Sequence, residues 1–468
     1  MVYANRSEVL TGIAGALTYR DGTVSVANAD ALRGTVIDEL VWSAVFGTDD
    51  VKPLCKELVW KAAQELGVLP SSILQLYTAI GAGQVSGFSV PAINIRLLNY
   101  DFSRAIFRAA NRLNAGAIIL EIARSEMGYT QQPQDEFVTC VLGAAIKEKY
   151  DMPVFIQGDH FQVNAKKYKE NPQKELDGVL DLIRKSVAAG FYNIDLDTST
   201  LVDESRPTMD EQQKDNYTVA VEMTKYIRSI QPKGVEVSCG GEIGEIGKHN
   251  SNEQELVAYM EGYNRLLPRG MHGISKMAIQ TGTSHGGTVT ADGTLAAVKL
   301  DFATIEKLTK IAREKYKLAG CVQHGASTLP VDMFDKFPAV HTLEVHLATD
   351  FQNIVFDHPK FPADLKKEMY AWCDANCADE RKATDTDQQF HYKTRKKANG
   401  PFKKQIWNLP ADVKAAVIGD LEKRVQTIFE KLNIRGTKDV VRRFVTPVKV
   451  AMAATAPAAR AEHFDGAD

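Results

Sequence analysis

Chemistry first becomes readable where an apolar run stops on an acid and an imidazole, in the segment FIQGDH from Phe155 to His160. A carboxylate beside a metal-type ligand at a strand end is what metal-assisted carbonyl chemistry needs. Two more histidines lie downstream among small residues, His285 in TGTSHGGT and His324 in CVQHGAST. Three neutral imidazoles can hold one Zn²⁺ and leave a coordination position open for water or substrate. Any one of them alone is about as often a hydrogen-bonded loop residue as a ligand. Together they point to a site, because the neighbouring glycines let the chain turn sharply and let a phosphate approach backbone N–H groups.

The elements that must bring these residues together can be counted. From residue 87 onward, short apolar runs alternate with amphipathic helical stretches: GFSVPAINI, AGAIILEIA, PVFIQGDH, YNIDLDTS, VEVSCGGEIG, GISKMAIQTGTS, CVQHGAS and TLEVHLATD. Eight β/α alternations are the count of a TIM (β/α)8 barrel, an α/β fold whose active sites lie at the C-terminal ends of the strands. Asn94, Glu121, Asp159 with His160, Asp197, Glu242, His285, His324 and His346 each close a different strand. In a barrel those ends converge.

Residues 1–86 read as a helical N-terminal extension, with apolar positions at helical spacing in KPLCKELVWKAAQELG and SSILQLYTAIGAG. The barrel is expected over 87–353, a charged helical C-terminal extension over 354–446, and a mobile, Ala-rich tail over 447–468. The basic run Lys393 to Lys404 sits beside Asp385 and Asp387 and reads as a solvated face or subunit contact. The partly apolar faces of the extensions favour a homo-oligomer.

Composition excludes several function classes. Hydrophobic residues make up 44% and charged residues 25% of 468, with a formal net charge of -3. That balance gives no electrostatic case for nucleic acid or an anionic membrane. No run approaches the ~18 apolar residues of a membrane span. The start, MVYANRSEVL, lacks the basic segment and apolar core of a signal peptide, so the cytoplasm is the expected location. Cys55, Cys140, Cys239, Cys321, Cys373 and Cys377 are scattered and read as buried small apolar residues of a reduced compartment.

The motifs resemble the class II, metal-dependent fructose-bisphosphate aldolase superfamily over residues 87–353. The DH pair Asp159–His160, the EIGEIGK element from Glu242, TSHGG around His285 and HGAS around His324 match that superfamily's elements in order. QGDHFQVN, FYNIDLDTS and LEIA are also similar to the non-catalytic subunits of tagatose-bisphosphate aldolase and to related ketose-phosphate epimerases. The resemblance implies metal ligands His160, His285 and His324, with Glu242 as an alternate or nearby ligand. It implies Asp159 as the general acid/base at the C4 hydroxyl, with Glu242 and Glu245 as further catalytic candidates. Ser327, Gly286, Gly287 and Gly325 would hold a phosphate, with Asn94, Glu121, Arg124, Ser125, Asp197 and His346 as further substrate contacts. The expected cofactor is Zn²⁺, another divalent transition metal being the alternative and a monovalent cation a further candidate.

Departures from the pattern bear on the substrate. Gln157 replaces the first His of the aldolases' H-x-D-H, and the acidic loop that supplies their second base reads Lys248, His249, Asn250. The Asn and Asp of their strand eight become His346 and Ala348, and their strand-two Ser becomes Ala123. The leading expectation is reversible aldol cleavage of a ketose bisphosphate, fructose 1,6-bisphosphate first and tagatose 1,6-bisphosphate next. A ketose or ketose-phosphate 4-epimerase is the alternative, and a non-catalytic partner subunit of an aldolase the third reading.

Overall fold

The computed structural model describes residues 2–244, 249–282 and 300–452. Eight parallel strands close on themselves: β1 Val90–Asn94, β2 Ile119–Ala123, β3 Val154–Asp159, β4 Asn193–Asp195, β5 Ser238–Glu242, β6 Lys276–Ile279, β7 Cys321–Gln323 and β8 Glu344–Leu347. Each pairs with the next, and β8 returns to β1 through His346 opposite Ala92. Every residue of these strands is buried, one face against the helices and the other inside the barrel. That two-sided burial explains why they read as unbroken apolar runs rather than alternating ones. The TIM barrel expected from the strand count is the fold observed.

The barrel interior departs from the usual packing of branched apolar side chains. Lys276 of β6 donates to Gln157 Oε1 at 2.8 Å and pairs with Asp195 Oδ1 at 2.8 Å and with Glu344. Gln157 in turn donates to Glu121 at 2.8 Å and Glu344 at 2.9 Å. Gly240 makes room for this cluster, since a Cβ there would collide with the Asp195 carboxylate and meet Lys276 Cε at 2.9 Å. Ionic groups at 0–9% exposure persist only when paired in this way.

The N-terminal extension forms the floor of the barrel. Pro70–Ser71 adds a short parallel strand beside Val154 and Phe155, filling the gap left because β4 begins only at Asn193. The Asn193 amide stitches the junction: it accepts from Ile73 N at 2.8 Å and donates to Ser71 O at 3.1 Å and Ile156 O at 3.0 Å. Asn193→Ala leaves those buried backbone groups without partners and is expected to cost about 3 kcal/mol, read as a shift in the urea unfolding midpoint.

Two features of the extensions add to the sequence reading. The N-terminal segment is not purely helical: Leu17–Arg20 and Thr23–Val26 form an antiparallel hairpin across Asp21 and Gly22, both at positive φ. An Asp-Gly pair between two-residue alternations is the standard signal for such a turn. At the other end, the chain expected to be mobile from residue 447 is held as far as Val450. Val450 N donates to Gln64 Oε1 at 3.0 Å, and its carbonyl accepts from Trp60 Nε1 at 3.2 Å.

The C-terminal helix Ala411–Lys431 packs along Asn99–Leu113, with Glu422 bridging Arg108 and Arg112 at 2.6 Å each. The basic run is matched by acids: Lys393 with Asp385 at 2.7 Å, Arg395 with Asp357 at 2.7 Å, Lys397 with Glu380 and Lys403 with Glu136. All six cysteines are free and buried. Among the described residues no helix is long and apolar enough to cross a membrane.

Candidate active site

The barrel's C-terminal mouth gathers side chains from five strand ends. Asn94 ends β1, Asp159 ends β3, Glu242 ends β5, His324 follows β7 and His346 lies near the end of β8. His160 takes a left-handed backbone, φ 42, which turns the chain sharply off β3. This conformation is uncommon outside glycine and collects at functional sites. Just before it, Gly158 has no side chain because the Phe161 ring folds back onto that position. On the opposite side Gly325, φ 67, makes the corresponding turn after His324.

These turns set three imidazoles in a row. Ring centroids of His160 and His324 are 4.2 Å apart, and those of His324 and His346 are again 4.2 Å apart. His160, Glu242 and His324 offer ligand atoms within 4.8 Å of one another, and all three are buried or nearly so. Asp197 orients His160 through Nδ1 at 3.2 Å and is itself held by Ser199 Oγ at 2.7 Å. Burial pushes the Glu242 carboxyl up to about 7, with the neighbouring Asp197 adding to the shift. A carboxylate in that position gains from a nearby cation, so two imidazoles and one carboxylate suit Zn²⁺ or a similar transition ion.

Asp159 is hydrogen-bonded at one oxygen and faces two imidazoles at the other. Oδ2 accepts from Asn94 Nδ2 at 2.8 Å, and Oδ1 lies 3.2 Å from His346 Nδ1 and 3.7 Å from His160 Nε2. Burial works against its charge, but the imidazoles of His160, His346 and His324 outweigh burial and hold the carboxyl well below the usual carboxylate range. Asp159 is therefore held as a carboxylate. Deeper in the barrel, burial pushes Glu121 up to about 8, an effect its neighbour His346 only partly offsets.

The cleft above is lined by Asn94, Asp159, His160, His324, Gly325, Ser327 and His346, as expected, and also by Arg96, Glu126 and Thr349. Several expected contacts lie elsewhere. Glu121 sits beneath His346, 2.9 Å from its Nδ1, and does not reach the cleft. Asp197 stands behind His160 as an orienting group. Arg124, expected at a phosphate, instead donates to Gln162 O at 2.7 Å and pairs with Glu175 at 2.8 Å. Ser125 is buried in the following helix Arg124–Tyr129 and is not among the cleft residues. His285, Gly286, Gly287 and Glu245 lie outside the described residues.

Arg96 and Glu126 went unread in the sequence. Glu126 is 1% exposed and receives Ala123 N at 2.9 Å, Asn94 Nδ2 at 3.0 Å and Arg96 Nε. It thereby fixes two cleft residues at once. Ala123 at the cap position has no side-chain acceptor, so A-R-S-E lacks the capping-box signature that would have located Glu126, whereas Arg96 follows Asn94 by two residues.

Known proteins place this geometry. Residues 75–406 match the family described as fructose-bisphosphate aldolase class-II. The chain is 23% identical over 257 residues to the fructose-bisphosphate aldolase of Giardia intestinalis, a match covering 55% of this chain and 66% of that protein, just under two thirds of its length. In three dimensions it is similar to a fructuronate-tagaturonate epimerase from Cohnella laeviribosi, with a TM-score of 0.52, 12% identity, and 89% and 93% of the two chains covered. A probable tagatose 6 phosphate kinase from Sinorhizobium meliloti gives a TM-score of 0.52 at 14% identity, covering 76% and 99%. With the family match spanning the whole barrel, whose strand-end residues converge on one cleft, the chain belongs to the class II fructose-bisphosphate aldolase family.

Proposed function

We propose that this chain catalyses reversible aldol cleavage of an anionic ketose, with fructose 1,6-bisphosphate as the first candidate and tagatose 1,6-bisphosphate the second. The observation that carries the reading is Asp159, a buried carboxylate held by Asn94 at one oxygen and 3.2 Å from His346 at the other, beside the His160–Glu242–His324 cluster. His160, His324 and Glu242 would hold a divalent metal, Zn²⁺ first, with His285 as the further ligand that the aldolase resemblance implies. When bound, the metal supplies Lewis-acid charge against the negative charge that develops as the C3–C4 bond breaks.

The protein's own groups account for the remaining steps. Asp159 takes the proton of the C4 hydroxyl as the C3–C4 electron pair leaves with the three-carbon fragment, and C4 becomes an aldehyde. In the condensation direction the same carboxyl returns that proton. The Asn94 hydrogen bond and the neighbouring charge of His346 keep the carboxylate in place, so the transfer needs no side-chain search. Glu245 is the proposed partner for the carbon-bound proton of the released ketone. Arg96, Thr349 Oγ1 at 3.4 Å from its Nη1, and Ser327 provide charge and donors for a phosphate or other anionic terminus at the side of the cleft.

A second reading, the ketose or ketose-phosphate 4-epimerase, is favoured by His346. A second imidazole facing Asp159 suits a cleavage in which the aldehyde stays bound and is re-attacked on its other face. NMR of the Zn-loaded protein with fructose 1,6-bisphosphate, and separately with fructose 6-phosphate, separates these readings without coupling enzymes. Triose phosphates from the bisphosphate are the expected result. A tagatose isomer without trioses would replace the aldolase by the epimerase, and no product from either would remove both substrates. A non-catalytic role is disfavoured by the assembled Asp159, His160, Glu242 and His324.

A further inference from the structure

The N-terminal extension reaches the chemistry through the middle of the barrel. Helix Leu74–Gly81 lies across the barrel floor, and its Tyr77, 0% exposed, donates its hydroxyl hydrogen bond to Glu344 Oε2. A floor plug needs only an aromatic ring, and phenylalanine would serve. The hydroxyl instead meets a carboxylate inside the barrel. Glu344 and His346 are two residues apart on β8, so both side chains point to the same face, the interior. Glu344 Oε1 lies 2.7 Å from His346 Nε2 and also binds Lys276. With Nε2 committed to Glu344, Nδ1 lies between Glu121 at 2.9 Å and Asp159 Oδ1 at 3.2 Å. Tyr77, Glu121, Glu344, His346 and Asp159 are all at 0–4% exposure, so water cannot replace a lost partner.

We propose that Tyr77 is a positioning residue of the active site, acting through Glu344 and His346 to fix the orientation of Asp159. The proposal rests on the reading of Asp159 as the proton-transfer group. It gives the N-terminal extension a part in turnover besides closing the barrel. Lys276 and Gln157 remain as anchors of Glu344, so removing the Tyr77 hydroxyl loosens the relay without dismantling it.

The test is a double-mutant cycle with Tyr77→Phe and His346→Gln in the full-length, Zn-loaded protein, with rates expressed per bound metal. Tyr77→Phe is expected to lower kcat about tenfold with KM held within about twofold, the signature of misplaced reacting groups rather than lost binding. In the His346→Gln background the same change should have no further effect on kcat, because the link it works through is gone. A purely structural tyrosine would instead lower kcat equally in both backgrounds, and that additivity overturns the proposal. A readout independent of turnover is the ring N–H signal of His346 in ¹⁵N-histidine-labelled protein, identified by its loss in His346→Gln. It should move in Tyr77→Phe, and an unmoved signal also overturns the proposal. If the wild type turns over no ketose, the functional reading fails while the ring signal still decides whether Tyr77 orients His346.

Discussion

Asp159→Ala is expected to lower turnover by about 10³-fold, the usual scale for removing a positioned general acid/base, while metal content per chain stays at the wild-type level. The carboxylate lies next to the proposed ligand set without being needed to complete it, since His160, Glu242 and His324 already bring their ligand atoms within 4.8 Å. Without it the Asn94 amide keeps its bond to Glu126 at 3.0 Å and His346 Nδ1 stays 2.9 Å from Glu121. KM for the ketose should therefore move far less than kcat. Steady-state kinetics with metal analysis on the same preparation check both halves. Unchanged turnover would remove Asp159 from the proton step.

His324→Ala should be the more damaging change, taking metal content and turnover down together. His324 stands at the centre of the row of imidazoles, 4.2 Å in ring centroids from His160 on one side and His346 on the other. It belongs both to the set with His160 and Glu242 and to the one with Asp159 and His346. No other described imidazole is placed to replace it in the first set. Thermal unfolding gives a second measurement. A ligand at 100 times its Kd stabilises the folded state by about 2.7 kcal/mol, so added Zn²⁺ should raise Tm of the wild type and leave His324→Ala unmoved.

The barrel was legible in the sequence because its strands are buried on both faces and end abruptly on polar residues. FIQGDH, LEIA and CVQHG carry both signals in a few residues. The turns at His160 and His324 were legible for a related reason: each histidine stands at a strand end with a glycine one or two residues away. The charged barrel interior was not legible. In GISKMAI and TLEVHL, Lys276 and Glu344 read as ordinary strand residues, and only closure of the barrel shows that they face each other. Tyr77 is separated from Glu344 by most of the chain, so no local pattern could pair them.

The exchange of Arg124 for Arg96 at the cleft has the same origin. Both arginines follow polar strand ends, and the direction of the turn after each strand decides which one enters. After β2 the chain goes directly into helix Arg124–Tyr129, which carries Arg124 outward to Glu175. After β1 it runs on past Asn94 before its helix begins at Asn99, which leaves Arg96 over the cleft against Glu126. Turn direction depends on backbone dihedrals such as the positive φ of Leu98 and His160, residue types that give no glycine-like warning.

The central claim is that His160, Glu242 and His324 form a metal centre directly beside Asp159. A crystal grown with Zn²⁺, with diffraction recorded on both sides of the zinc absorption edge, tests it most directly. The account predicts a strong anomalous peak about 2.0–2.2 Å from ligand atoms of all three residues, with the Asp159 carboxylate beside it and unligated. A peak bound elsewhere in the barrel, or none at these residues under saturating zinc, would contradict it.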